Sequence, residues 1–143
     1  MAVNPYNRET LKRFRQMGRH YWKVEIWNPY AKNSGGFPGV RQDCFGFIDY
    51  IIIDPIDGVV AVQITSPSSW SEHKKKILRN DYAARWVNFC KIELWTWRQL
   101  VKKGLTKAGK KRKGKVWTPR TETITIDMFT EGTKYQTVPT DNS

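Results

Sequence analysis

An acidic residue interrupts one of the apolar stretches of this sequence. Asp49 lies between Phe47 and Ile51, in a segment rich in β-branched and aromatic residues that favours a strand. A carboxylate is costly to bury among apolar side chains unless a positive charge compensates it. A divalent cation would do so, and Mg²⁺ prefers oxygen ligands such as carboxylates and amide carbonyls. Asp49 and the amide oxygen of Gln63, on the next predicted strand, could therefore form a metal site. Further candidate acids for it are Glu25, Asp43 and Glu9.

Each of these residues also has a purely structural interpretation. Asp49 could pair with Arg41 or with a lysine at a strand edge, and the amide of Gln63 could bond to the backbone at the edge of the core. The other acids have simple structural roles as well. Asp43 could pair with Arg41, and Glu25, which shares a predicted sheet face with Lys23, could form a cross-strand ion pair. Glu9 could interact favourably with the dipole of the first helix.

The balance of charge points to an anionic partner. Lys and Arg number 25 against 13 Asp and Glu, which gives a net charge of +12 and a pI of about 9.9. A field of this sign attracts polyanions, so nucleic acid is the expected partner, with solubility alone as the simpler explanation. Between residues 102 and 120 nine cations occur without an acid, which predicts a flexible basic loop. The cations expected to contact phosphates are Arg13, Arg15, Arg41, Lys74, Lys75, Lys110, Lys111, Arg112 and Lys113.

The elements that must position these side chains can be predicted from periodicity and turn signals. A helix is expected over 5–18, capped by Asn4, and a second helix over 70–88, starting at a Ser-x-x-Glu capping box formed by Ser69 and Glu72. Strands are expected over 21–27, 43–54, 59–65, 91–100 and 121–129, with loops over 28–39 and 102–120. A helix between the strands over 59–65 and 91–100 allows those two strands to lie parallel. Because side chains alternate along a strand, Asp43 and Asp49 are expected on one face.

Three short stretches carry a resemblance to a known group of enzymes. They are RQDCFGFID over 41–49, AVQITS over 61–66 and KKI over 75–77. With the order α-β-β-β-α-β, this part of the chain resembles the PD-(D/E)XK nuclease superfamily, and in particular small prokaryotic and phage proteins described as Holliday-junction-resolvase-like. The resemblance covers roughly residues 5–100.

The resemblance implies a fold, a site and a reaction. The fold would be an α/β, restriction-endonuclease-like αβββαβ core with a central mixed sheet and an added C-terminal strand, in one domain over 1–129 with a tail over 130–143. Asp49 would match the metal-binding aspartate, and Gln63 would match the acid of a Glu-x-Lys element. Thr65 falls where that element has its lysine, so the catalytic lysine would come from the following helix, with Lys76 as the candidate.

The implied activity is hydrolysis of DNA phosphodiester bonds with Mg²⁺ or Mn²⁺, by a structure-specific endonuclease that could act as a homodimer. The alternative is a non-catalytic DNA- or RNA-binding module on a degenerate nuclease fold, which Gln63 and Thr65 favour. Cys44 and Cys90 are expected to be buried free thiols, and the polar N-terminal segment has no features of a signal peptide. A cytoplasmic location follows as an expectation, in the host cytoplasm if the protein is encoded by a phage.

Overall fold

In the computed structural model, which describes residues 4–32, 35–36, 38–102, 104–110 and 114–129, one helix is followed by five strands, two further helices and two last strands. The helices are α1 (Pro5–Gln16), α2 (Trp70–Leu78) and α3 (Asp81–Trp86). The strands are β1 (His20–Lys23), β2 (Ile26–Lys32), β3 (Pro38–Gln42), β4 (Tyr50–Asp54), β5 (Gly58–Ile64), β6 (Lys91–Val101) and β7 (Lys115–Ile124). The prediction of an α/β fold with a mixed central sheet is confirmed.

The main sheet has the strand order β1-β4-β5-β6-β7. Its pairs are antiparallel except β5 with β6, which are parallel, as the helical connection between them predicts. The turn at Gly58, with φ 74°, joins β4 to β5 as an antiparallel hairpin. The strand carrying Gln63 therefore lies at the centre of the sheet.

The single strand expected over 21–27 is in fact two strands in different sheets. The chain bends at Val24 and Glu25, whose backbone N–H groups donate to the carbonyl oxygen of Asp49. Beyond the bend, β2 pairs with β3 in a separate two-stranded sheet. The expected loop over 28–39 was therefore wrong in most of its length, because backbone pairing in the hairpin outweighs the Gly and Pro signals.

The segment over 43–54 is a strand only from Tyr50 onward. Residues 44–48 form a tight turn closed by a bridge between Cys44 and Ile48. Phe45, with φ 54°, and Gly46, with φ 81°, supply the left-handed backbone that the turn requires. Asp43 is therefore not on a shared strand face with Asp49; it reaches the same region through the turn.

The helix expected over 70–88 is interrupted at residues 79–80. Its start at Trp70 is as predicted, but Ser69 makes no side-chain capping bond, so the predicted capping box is wrong. Asn80 ends the helical run because its side chain instead accepts a hydrogen bond from the N–H of Ala83 and caps α3.

The last strand begins earlier than predicted, at Lys115 instead of 121. Residues 115–120 pair with the second half of β6, which leaves a shorter basic loop than the one expected over 102–120. Lys111, Arg112, Lys113 and the tail over 130–143 lie outside the described residues.

Two apolar clusters lie on opposite faces of the main sheet. On one face, Phe14 of α1 packs against β4, β5 and the indoles of Trp95 and Trp97. On the other, Ile77 of α2 and residues of α3 pack against β5 and β6. Both indoles are buried, so these side chains belong to the core.

A buried ion-pair network fastens the end of α1 to the sheet. The guanidinium of Arg19 donates to Asp54 Oδ2 at 2.6 Å and to both carboxylate oxygens of Glu93 at 2.7 and 2.9 Å. Although burial favours the neutral acid, hydrogen bonds from Arg19 and Trp95 lower the pKa of Glu93. The network therefore fixes α1, and with it Asn4 and Asn7, beside the sheet.

Both cysteines are free and half-buried, and burial raises the pKa of the Cys44 thiol. Among the described residues, no helix combines the length and the apolar character needed to cross a bilayer.

Candidate metal centre and nucleic-acid interface

Asp49 is held rigidly by its own backbone just before β4. Its N–H donates to the carbonyl of Val62 at 2.9 Å, and its carbonyl accepts from Val24 at 2.9 Å and Glu25 at 3.3 Å. Its side chain is directed by β5, since the N–H of Ile64 donates to Asp49 Oδ2 at 2.8 Å. The carboxyl group of Asp49 is thus fixed between the bend at residues 24–25 and the central strand.

The same bend brings Glu25 to Asp49, and the turn over 44–48 brings Asp43. One carboxylate oxygen from each of these three acids lies within 4.8 Å of the others. The structure therefore assembles the three acids from separate elements. Asp43 and Glu25, which the sequence offered as further ligands, lie in the cluster, whereas Glu9 does not; it contacts Arg8 and faces a different cleft, on the other side of α1.

The cluster is short of positive charge at its centre. Burial raises the pKa of Asp49 to about 8, assisted by its hydrogen bond with Asp43 and by the negative charges of Asp43 and Glu25; the N–H of Ile64 opposes the rise. Asp49 is only 7% exposed. Three carboxylates at this spacing are not all ionised together unless a cation lies among them; otherwise one of them keeps its proton.

Two cations lie at the edge of this cluster. Lys76 Nζ is 3.1 Å from Asp43 Oδ2, and Arg41 is 3.8 Å from Glu25 Oε1. Both side chains are about half exposed or more, so solvent screens them. Asp43 therefore pairs with Lys76 instead of Arg41, and the ion pair expected for Glu25 is formed with Arg41.

Gln63 contributes an amide with one unused atom. Its Nε2 donates to Asp43 Oδ2 at 3.1 Å, but its Oε1 has no hydrogen-bond partner among the described residues. The side chain is 1% exposed and lines the same cleft as the three acids. A buried carbonyl oxygen without a donor costs on the order of 1–3 kcal/mol unless a water or a cation satisfies it.

These groups line a cleft of about 190 Å³, which we call the acidic cleft. Its lining residues are Asn4, Asn7, Glu25, Arg41, Asp43, Asp49, Gln63, Ile64 and His73. Three carboxylates with an amide oxygen form a hard-oxygen donor set of the kind that Mg²⁺ and Mn²⁺ take. The residues present therefore fit a divalent metal ion.

His73, which from the sequence could contact a phosphate but is more simply a solvated histidine of the second helix, lines the cleft. Its Nδ1 lies 2.9 Å from Thr65 Oγ1 and 2.9 Å from the carbonyl oxygen of Ser69. Thr65 stands where the resemblance expects a lysine, and its hydroxyl instead bonds to the imidazole of His73 at the cleft. The spacing of eight residues from Thr65 to His73 across a turn gives no signal of this contact.

A second, larger cleft adjoins the acidic cleft and carries the opposite charge. We call it the basic groove, and it shares Asn4, Asn7 and Arg41 with the acidic cleft. Its cations come from three elements and are Arg8, Arg15, Lys23 and Arg41; the described residues that line it include no acid. A polyanion lying in this groove would pass directly beside the three carboxylates.

The cations that the sequence predicted to contact phosphates do not all lie in the basic groove. Arg15 and Arg41 lie in the basic groove, but Arg13 faces the cleft on the other side of α1, against Trp97. Lys74 is paired with Glu122 of β7 at 2.8 Å. Lys75 is exposed on α2 near Glu72, and Lys110 is exposed in the loop before β7.

No protein-family model, curated protein or solved structure matches this chain.

Proposed function

We propose that the protein is a metal-dependent nuclease that hydrolyses DNA phosphodiester bonds at the acidic cleft. The observation that carries the proposal is the group of three carboxylates within 4.8 Å of one another, with the amide of Gln63 bonded to one of them in the same cleft. Bringing three of the 13 acids of a strongly basic protein together in one cleft is unfavourable unless a cation completes the site there.

The order of elements also favours this reading. If the β2–β3 hairpin is set aside as an insertion, the chain runs α1, β1, β4, β5, α2–α3 and β6. This is the αβββαβ order that the resemblance to the PD-(D/E)XK superfamily implies. In that scheme Asp49, at the start of β4, and Gln63, near the end of β5, would be the counterparts of the metal-binding pair.

Glu25, Asp43, Asp49 and Gln63 would hold the ion. A bound Mg²⁺ or Mn²⁺ would supply an activated water and stabilise the negative charge that develops on the phosphoryl group. The chain's own residues prepare the site for this. Ile64 fixes the orientation of Asp49, and the amide of Gln63 fixes that of Asp43.

Binding of the substrate would be the task of the basic groove. Its four cations can each contact a phosphate, so the DNA backbone would run from the groove past Arg41 to the acidic cleft. Neutralising four phosphates corresponds to a slope of about −3.6 in a plot of log K against log salt concentration. Lys76 would leave Asp43 to meet the scissile phosphate or would remain and offset the charge of that carboxylate.

A second candidate function is supported by specific contacts. Thr65 bonds to His73 where the resemblance expects a lysine, and Lys76 is paired with Asp43 in the absence of substrate. Both observations suit a non-catalytic nucleic-acid-binding module. Such a module would keep the salt-dependent binding and would lack cleavage.

Cleavage assays distinguish the nuclease from the non-catalytic binding module. Labelled single-stranded, duplex and four-way-junction DNA would be incubated with Mg²⁺ or Mn²⁺ and with wild-type protein, Asp49→Asn or Glu72→Gln. Glu72 is the matched control, since it undergoes the same change of acid to amide on the exposed face of α2. We expect metal-dependent cleavage by wild type and the control, and its loss in Asp49→Asn. Binding without cleavage by all three proteins would instead assign the module.

A further inference from the structure

The hairpin of β2 and β3, here called the ribbon, begins and ends at the acidic cleft. Glu25 directly precedes β2, and Asp43 directly follows β3. The ribbon pairs with itself in a separate sheet, outside the main one. Whatever the ribbon contacts is therefore placed at the edge of the proposed metal site.

Trp27 is the second residue of β2, so among the described aromatic residues of the ribbon it lies nearest in sequence to Glu25 and the acidic cleft. It pairs directly with Arg41 across the two strands, so both side chains lie on the same face of the ribbon. Arg41 in turn lines both the acidic cleft and the basic groove. The indole thus lies beside a cation that faces the proposed path of the DNA backbone.

The indole is held in place and remains accessible. Its six-membered ring covers Gly39, where a Cβ would collide with the ring, and Gly39 itself is buried. Trp27 is nevertheless 60% exposed. Because most of the indole surface stays in solvent, packing alone does not explain its fixed position. The indole is therefore available to contact a ligand.

The chemistry of the neighbourhood selects the ligand. Residues 26–42 contain Lys32 and Arg41 and no acid, so the ribbon favours anions. A nucleotide carries an anionic phosphate and an aromatic base within one residue, which matches a guanidinium and an indole side by side. In an intact duplex the base faces are covered by their neighbours, so the fitting ligand is an unpaired nucleotide.

We propose that Trp27 stacks on an unpaired base of DNA whose phosphate is held by Arg41, at the edge of the acidic cleft. The inference rests on the proposed function and deepens it, because it assigns unpaired or locally opened DNA as the substrate class. The ribbon is then the element that places the strand.

The test measures binding in metal-free buffer, so that cleavage does not interfere. Fluorescently labelled single-stranded DNA of 12 nucleotides and a blunt duplex of the same sequence would be titrated with wild type, Trp27→Ala, Trp27→Phe and Trp22→Ala. Trp22 is the matched control, since it is 77% exposed but lies on β1 in the main sheet. Thermal unfolding of each variant verifies its fold.

We expect Trp27→Ala to weaken single-strand binding by about 5- to 150-fold, the range of one stacked base, and to change duplex binding by less than about 2-fold. Trp27→Phe should retain most of the affinity, and Trp22→Ala all of it. Equal behaviour of Trp27→Ala and Trp22→Ala overturns the inference, as does an equal loss on single strand and duplex.

A base analogue gives a second readout that does not depend on affinity. Single strands carrying 2-aminopurine at successive positions should show quenching at one position with wild type and none with Trp27→Ala. Quenching that persists in Trp27→Ala would overturn the stacking. Failure of the proposed function is distinct: if wild type stacks and binds but does not cleave, the nuclease proposal falls alone, and if wild type binds neither DNA, both fall.

Discussion

Replacing Asp49 by Asn should stabilise the protein at neutral pH when no metal is present. The pKa of Asp49 rises from 3.8 to about 8 on folding, chiefly because the carboxyl is buried. The folded state therefore holds this proton more tightly than the unfolded state, so the free energy of unfolding falls as the pH rises between about 4 and 8. Asn keeps an oxygen to accept from the N–H of Ile64 but carries no charge.

The size of this loss of stability follows from the difference between the two pKa values of Asp49. One pKa unit corresponds to about 1.4 kcal/mol, so an interval of roughly 4 units gives a loss on the order of 5 kcal/mol between pH 4 and pH 8. This is a large share of the roughly 5–15 kcal/mol that stabilises a typical domain. The free energies of Asp49→Asn and wild type should thus converge near pH 4 and separate steadily up to pH 8.

Urea denaturation followed by tryptophan fluorescence measures this, in EDTA and at intervals from pH 4 to 8.5. The difference between the curves reports the charge that Asp49 adds to the acidic cleft, and Glu72→Gln controls for the loss of one negative charge. If wild type and Asp49→Asn run parallel through the whole interval, Asp49 is ionised in the apo protein and the electrostatic account of the acidic cleft is wrong.

Three further results are expected. Binding of Mg²⁺ should release a proton, so the Mg²⁺ affinity should rise by up to about 10-fold per pH unit below pH 8. Calorimetry in two buffers of different ionisation enthalpy would detect the released proton. Mg²⁺ binding without proton release would contradict this prediction. Arg19→Leu should destabilise the protein by about 3–5 kcal/mol in urea denaturation, because Glu93 remains buried without its partner, and a cost under about 1 kcal/mol would refute this role. Arg41→Ala should weaken DNA binding and reduce the salt slope by about 1, whereas Lys75→Ala, on the exposed face of α2, should leave the slope unchanged.

Local patterns were sufficient to predict the central part of the fold. The Asn4 cap of α1, the strand patterns of β4 and β5 and the helical connection to β6 act over short distances, so the mixed sheet could be derived from them. The placement of Gln63 beside the start of β4 follows from the same hairpin. That pairing is why Asp49 and Gln63 could be nominated together.

The rest of the site depends on contacts between distant parts of the chain. Glu25 is in the acidic cleft because its backbone and that of Val24 bond to the carbonyl of Asp49, which no local pattern indicates. Asp43 arrives through a turn that holds Phe45 at positive φ, a conformation that a non-glycine residue rarely adopts. Strand periodicity therefore nominated Asp43 for a reason that the structure does not support.

The basic groove was equally hidden. Its cations belong to α1, β1 and β3, which meet only in the folded chain. The dense run of lysines near residue 110 is evident from the sequence, whereas the convergence of cations from three separate elements is not.

The central claim is that DNA is cut at the three carboxylates with a divalent metal. Its most direct test is the initial rate of cleavage of a labelled four-way junction with single-stranded ends, measured against Mn²⁺ concentration for wild type and Asp49→Asn. The account predicts a rate that rises and saturates with Mn²⁺ for wild type, and no cleavage above background for Asp49→Asn at any Mn²⁺ concentration. Equal rates for the two proteins, or no cleavage by a wild-type protein that binds the DNA, would contradict it.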